Sequence, residues 1–150
     1  MKAVSLLRLA ALLALVQACA HTALFLTYTP KHGPEEVAVL ELMRAHSFNF
    51  SGSLRSYWDM YFGEGLFIVL NCFLQTALLW QLARMARTTP LLARPIVALL
   101  LVANLGYFIL VRRYFFALPG YFDLAIAAVL GAALLALSPR QDPADRTAAV

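Results

Sequence analysis

Apolar residues dominate four long stretches of the chain, and the short segments between them hold nearly all the charge. A helix that crosses a bilayer needs roughly 20 mainly apolar residues to span a hydrocarbon layer of about 30 Å. The four stretches, residues 4–28, 56–83, 95–111 and 119–137, are of that order. The second has a clear start, because Ser56-Tyr57-Trp58-Asp59 has capping-box spacing and puts Asp59 in the first turn, where the helix dipole favours an anion. It runs out at Arg84 and Arg87. The third opens at Pro95, placed in a first turn where the missing N–H is not needed. The fourth stops at Ser138-Pro139. The pattern predicts an all-α fold, a four-helix transmembrane bundle over residues 1–138. Residues 139–150 are expected to form a flexible cytoplasmic tail.

The first stretch also has the features of a secretory signal: Lys2, an apolar run from Leu9 to Val16, and Ala18-Cys19-Ala20 as a cleavage site. Val16-Gln17-Ala18-Cys19 has the outline of a lipoprotein box. A cleaved apolar region would end there, yet this one continues through Ala23-Leu24-Phe25-Leu26, so an uncleaved helix is expected.

Residues 29–55 form the only sizeable loop. Gly33-Pro34-Glu35-Glu36 is a helix-start signal. It predicts a short amphipathic helix near residues 35–45, in the first extracytoplasmic loop, lying on the membrane surface or capping the bundle. Val39, Leu42 and Met43 are expected to pack onto the bundle end. Phe48 and Phe50 alternate with polar residues, which predicts an extended piece before Gly52.

Composition agrees with a membrane location. Hydrophobic residues make up 62% of the chain and charged ones 13%, against about 45–50% and about 25% in soluble domains. The net charge of +4 is scattered over loops and helix ends, so nucleic acid is not an expected partner. Cys19 and Cys72 have no CxxC or histidine spacing and read as small hydrophobes. The Ala-, Leu- and Arg-rich usage is of bacterial type. No hydrolase, zincin, Walker or dinucleotide motif is present.

Four spans put both termini on one side. With the termini in the cytoplasm, Lys2, Arg8, Arg84, Arg87, Arg94, Arg140 and Arg146 lie inside, and Lys31, Arg44, Arg55, Arg112 and Arg113 outside. The positive-inside rule thus favours cytoplasmic termini and an inner (plasma) membrane by a small margin. All six tyrosines, at 28, 57, 61, 107, 114 and 121, then fall in the outer half. Tyr rings suit the interface, so this is expected to be an anchoring belt.

Polar groups within spans are costly and are candidate functional residues. Gln17 and His21 share a face of the first helix, and Glu64, Asn71 and Gln75 share one of the second. Asn104 and Asp123 belong to the third and fourth. At 1.5 Å per residue, His21 lies about 10 Å below Tyr28 and Glu64 about 9 Å below Trp58, so the two are level. Gly63 and Gly65 would permit close helix approach there. The candidate polar pocket is His21, Asp59, Tyr61, Glu64 and Asn104. His21 is expected to pair with Glu64 or with the Asp59–Tyr61 turn, as a ligand or proton site or as interhelical glue. No metal and no cofactor are expected.

His21-Thr22, Phe48-Asn49-Phe50 and above all the run from Ser56 to Leu66, Ser-Tyr-Trp-Asp-Met-Tyr-Phe-Gly-Glu-Gly-Leu, resemble a group of small bacterial four-span membrane proteins. That group has His-Thr in the first helix and Tyr-Trp-Asp-x-Tyr-x-Gly-Phe-Gly-Leu at the start of the second. The resemblance implies a fold and a location and carries no activity. The chain departs from it at Glu64, where the group has Phe, which shifts weight to His21, Asp59 and Tyr61. A looser, fold-level likeness joins it to DoxX-like proteins and four-span sterol isomerases.

Two functions fit these features. One is a module that binds a small hydrophobic molecule, a quinone, lipid or sterol-like compound, in the outer half, with His21 as acid or base. The other is an accessory or scaffold subunit that meets a partner membrane subunit through small-residue faces such as Ala127-Gly131. An open, aromatic-lined cavity near His21 would favour the first, and a closed bundle the second.

Overall fold

The computed structural model describes residues 2–137, so the expected tail at 139–150 lies outside the described residues. The elements are α1 (Lys2–Leu26), α2 (Pro34–Ala45), β1 (Ser47–Phe50), β2 (Ser53–Ser56), α3 (Tyr57–Thr88), α4 (Pro90–Tyr114) and α5 (Ala117–Ala136). The fold is all-α apart from one small hairpin. Among the described residues α1, α3, α4 and α5 are each long and apolar enough to cross a membrane, and the chain is a multi-pass membrane protein.

Two of these helices run further than predicted. α3 continues through Arg84 and Arg87 to Thr88, since a charged residue leaves the apolar layer without ending a helix. α4 begins at Pro90, so Pro95 lies inside it rather than in its first turn. Pro90 takes the first helical position, and Pro95 leaves only the Leu91 carbonyl without its usual donor. The expected arginine-rich loop is therefore one non-helical residue. Thr89 N–H donates to the Met85 carbonyl (2.8 Å), and its own carbonyl accepts from Leu92 and Ala93 (3.2 and 3.3 Å).

The chain divides into two compact units: Leu15–Leu74, and Met1–Ala14 with Gln75–Val150, of which residues 2–14 and 75–137 are described. The second holds the dry core. Leu7, Ala10, Ala11 and Ala14 of α1, Leu79, Leu82, Ala83 and Ala86 of α3, Ala93 and Val97 of α4, and Ile126, Leu130 and Ala133 of α5 are all buried together. Each set follows the i, i+3/i+4, i+7 spacing of one helix face. Alanine dominates because helices in lipid gain from close backbone approach rather than from removing apolar surface from water. α4 packs along α5, and a Cβ on Gly120 would stand 3.3 Å from Val111 Cγ1.

The Leu15–Leu74 unit carries α2 and the hairpin. β1 and β2 pair antiparallel with Phe50 opposite Ser53, joined by Ser51 (φ 52°) and Gly52 (φ 89°). Two positive φ values define the tight turn that suits the right-handed twist of paired strands. Asn49 Oδ1 accepts from Gly52 N–H (2.8 Å) and closes that turn. The extended piece around Phe48 and Phe50 is thus the first arm of a hairpin.

α2 lies where expected, but its packing differs. Val39 and Leu42 are 56% and 62% exposed, and only Met43 of the three is half-buried. The helix turns Glu36, Val39, Leu40 and Met43, an i, i+3, i+4, i+7 set, to one side and leaves Leu42 off it.

Candidate functional site

The start of α3 is fixed by reciprocal capping. Asp59 N–H donates to Ser56 Oγ (3.0 Å), and Ser56 N–H donates to Asp59 Oδ2 (2.8 Å). This is the box foreseen from the spacing. It sets the phase of the helix so that Trp58, Tyr61, Phe62 and Gly65 share one face, while His21 and Phe25 share one on α1. The two sets meet as a run of rings. Phe25 stacks on Phe62 (centroids 5.2 Å) and tilts against Tyr61 (6.4 Å), while Trp58 lies 5.7 Å from Tyr61 and 6.2 Å from Phe62. The His21 imidazole lies parallel to Phe25, 5.9 Å away with a 4° interplanar angle. Arg44 of α2 places its guanidinium 3.9 Å from the Trp58 ring centre, a cation–π contact joining α2 to α3.

Gly65 makes room for this arrangement. A Cβ there would collide with the Phe25 ring, whereas Gly63 has open space. The expected close approach is real at Gly65 alone, and what fills it is an aromatic ring.

Beside the rings, Tyr28, Glu35, Glu36, Val39, Leu40, Met43 and Tyr61 line a cleft of about 400 Å³. It is open to the surface rather than enclosed. Its walls are mostly apolar, and the Tyr28 hydroxyl meets the Glu36 carboxylate among them. Glu36, third residue of α2, holds this part of the cleft together. It accepts from the Tyr28 hydroxyl, from the N–H groups of Lys31 (2.7 Å) and His32 (2.8 Å), and pairs with His32 Nδ1 at 3.2 Å. The Tyr28 hydrogen bond, then the His32 backbone N–H, hold its carboxyl down to about 2, with desolvation opposing and the His32 ring and Lys31 N–H adding to the effect. The same bond pushes the Tyr28 hydroxyl above its ordinary value. His32 thus helps to cap α2 while its side chain stays 82% exposed.

The structure places the five predicted residues unequally. His21 and Tyr61 are brought together through Phe25. Asp59 is engaged as the α3 cap. Glu64 is exposed and has no hydrogen bond or ion pair among the described residues. The expected bond from His21 to Glu64 or to the Asp59–Tyr61 turn is not made: His21 Nε2 is buried with no partner. A carboxylate level with a histidine pairs with it only if both face the same way, and depth says nothing about rotation about the axis. A buried polar atom without a partner costs about 1–3 kcal/mol.

Asn104 lies in the other unit. It is fully buried, accepts from Gln75 Nε2 (3.1 Å) and donates to the Leu100 carbonyl (2.7 Å). This is interhelical pairing of the glue kind. Asp123 is buried, 4% exposed. Ala127, named as a partner-facing residue, is 2% exposed and belongs to the interior. Among the described residues no three of His, Cys, Asp and Glu group as a metal site.

Sequence reasoning missed Phe25 and Glu36. Phe25 follows His21 by four residues and Glu36 stands three after Gly33, so both spacings were visible. The seat of Phe25 on Gly65 had no signal in one sequence. Set against family models, curated proteins and solved structures, the chain matches none. The geometry therefore carries the functional argument by itself.

Proposed function

We propose that the chain is a bacterial inner-membrane protein, both termini cytoplasmic, that binds a small hydrophobic or amphiphilic molecule in the outer half of the bundle. The cleft between α2, Tyr28 and Tyr61 carries this reading, because it joins apolar walls to a few convergent polar groups. Tyrosines and an arginine–tryptophan pair at the same end suit the membrane–water interface, where an amphiphile presents both its ends. The resemblance to small bacterial four-span proteins and the small excess of basic residues on the terminal side support the membrane and the orientation. A photoreactive alkyl probe, activated in native membranes, should label the peptide from Tyr28 to Met43 and the turn at Tyr61. Labelling spread evenly over the lipid-facing surface of α4 would defeat it.

The alternative, an accessory subunit without chemistry, draws on Ala125, Ala128 and Ala132, small exposed residues along α5. Replacing Ala128 by Leu would then abolish assembly of the complex and leave probe labelling unchanged.

A further inference from the structure

In the alanine-cored unit, Lys2, Arg8, Arg84, Arg87 and Arg94 gather toward the start of α1 and the α3–α4 turn, and all are exposed. Among the described residues of that unit the only carboxylate is Asp123, buried in α5 toward the α4–α5 turn. Arg8 places its guanidinium 5.8 Å from the centre of the Trp80 ring, a cation–π contact between α1 and α3. The contact leaves the guanidinium's N–H donors without an acceptor. Among the described residues Arg8, Arg84 and Arg87 have no hydrogen bond and no ion pair.

Trp80, Arg84 and Arg87 stand at i, i+4 and i+7, so α3 shows them on one face, where Trp80 is 47% exposed. A helical side chain leans toward the N-terminus of its helix. Arg84 therefore leans back over the turn of Trp80, while Arg8 leans toward Lys2 and the membrane boundary. Arg8 lies about 9 Å along α1 from Lys2 and Arg84 about 6 Å along α3 from Thr88. Both helices are spans, so their exposed faces meet lipid. A guanidinium there is costly until it reaches an acceptor at the interface, and Trp marks that interface.

We propose that Arg8, Trp80 and Arg84 form a site for one anionic phospholipid. The two guanidinium forks hold its phosphate, a geometry that suits arginine. An acyl chain lies along Leu12 and Ala77, exposed residues that continue the two faces toward the bilayer centre. The lipid is anionic rather than zwitterionic because this end offers no carboxylate, among the described residues, to receive a headgroup ammonium. The site belongs to the unit that does not hold the cleft, and it stands whatever the cleft binds.

The full chain carrying Trp58→Phe keeps Trp80 as its only tryptophan. In nanodiscs, lipids brominated in the acyl chain quench that fluorescence. Brominated phosphatidylglycerol should reach half-quenching at about a fivefold lower mole fraction than brominated phosphatidylcholine, the scale of one basic residue meeting an anionic lipid. Arg8→Gln and Arg84→Gln should each bring the two curves together and leave the phosphatidylcholine curve in place. Lys2→Gln removes the same charge from the same end but from another face of α1, and should keep the preference. Equal quenching by the two lipids in the Trp58→Phe chain overturns the site before any arginine is changed. A preference lowered as much by Lys2→Gln as by Arg84→Gln is a diffuse attraction to basic residues, and it overturns the site too. Loss of the preference in millimolar inorganic phosphate would make free phosphate the occupant and overturn the lipid.

Discussion

Gly65 and Gly63 stand two residues apart in α3, yet only one of them answers to its surroundings. A methyl group at Gly65 would collide with the Phe25 ring, while one at Gly63 meets open space. Gly65→Ala should therefore lower stability by about 1–3 kcal/mol, the range for overpacking, and Gly63→Ala should change it by less than about 0.5 kcal/mol. Thermal unfolding in one detergent measures both, and equal effects would mean that Phe25 does not sit on Gly65. Asn104 makes a second residue-scale case. It has two hydrogen bonds inside the packed unit, so Asn104→Ala strips Gln75 of its acceptor. Such pairs contribute about 0.6 kcal/mol in membrane bundles, reaching about 1.7. The loss should fall in that range without altering ligand binding.

At the scale of elements, α2 depends on one carboxylate. Glu36 accepts from three residues before the helix, and its carboxyl is held down to about 2 against an ordinary 4.5. A folded-state value below the unfolded one gives stability that is complete above the unfolded value and is lost as pH falls through the folded one. The attachment of α2 should thus weaken between about pH 4.5 and about pH 2. Trp58 fluorescence reports it, since Arg44 of α2 lies on that ring. Glu36→Gln should abolish the transition; an unchanged pH profile in that variant would contradict the assignment. The hairpin makes a separate prediction. β2 runs straight into α3, so Leu54, 66% exposed, is held within three residues of the span. Leu42 and Leu54 should enter the lipid interface, whereas Glu41 stays in water. Spin labels at these positions should differ in collision with oxygen and with a polar nickel reagent, and identical profiles would place the whole loop in water.

For the molecule as a whole, four spans demand termini on one side, and the charge bias that sets the side is small. Reporter fusions after Gly33 and after Arg87 should give opposite locations, the first extracytoplasmic. A mature chain beginning at Cys19 or His21 would instead leave three spans and reverse the argument. The site lies wholly within the Leu15–Leu74 unit and the dry alanine core wholly within the other. Substitutions in the core, such as Leu130→Ala, should therefore lower stability by about 2–5 kcal/mol and leave the labelling of surviving protein by the photoreactive alkyl probe unchanged.

The four spans, α2 and the capping box at Ser56 and Asp59 were legible in the sequence. Each depends on spacing along one helix or on the cost of polar groups in lipid, and both are local or one-dimensional quantities. Sequence set His21 and Glu64 at one level, because depth below a common boundary is fixed by the rise per residue. It could not supply rotation about the helix axis, and so it paired His21 with Glu64, which instead turns outward. The same gap put Ala127 on a partner surface when it belongs to the interior. Tertiary structure alone decided that a phenylalanine ring fills the space beside Gly65, that Leu42 stays exposed, and that His21 Nε2 is buried unpaired. These are facts of side-chain volume and direction in three dimensions, and periodicity carries no record of either.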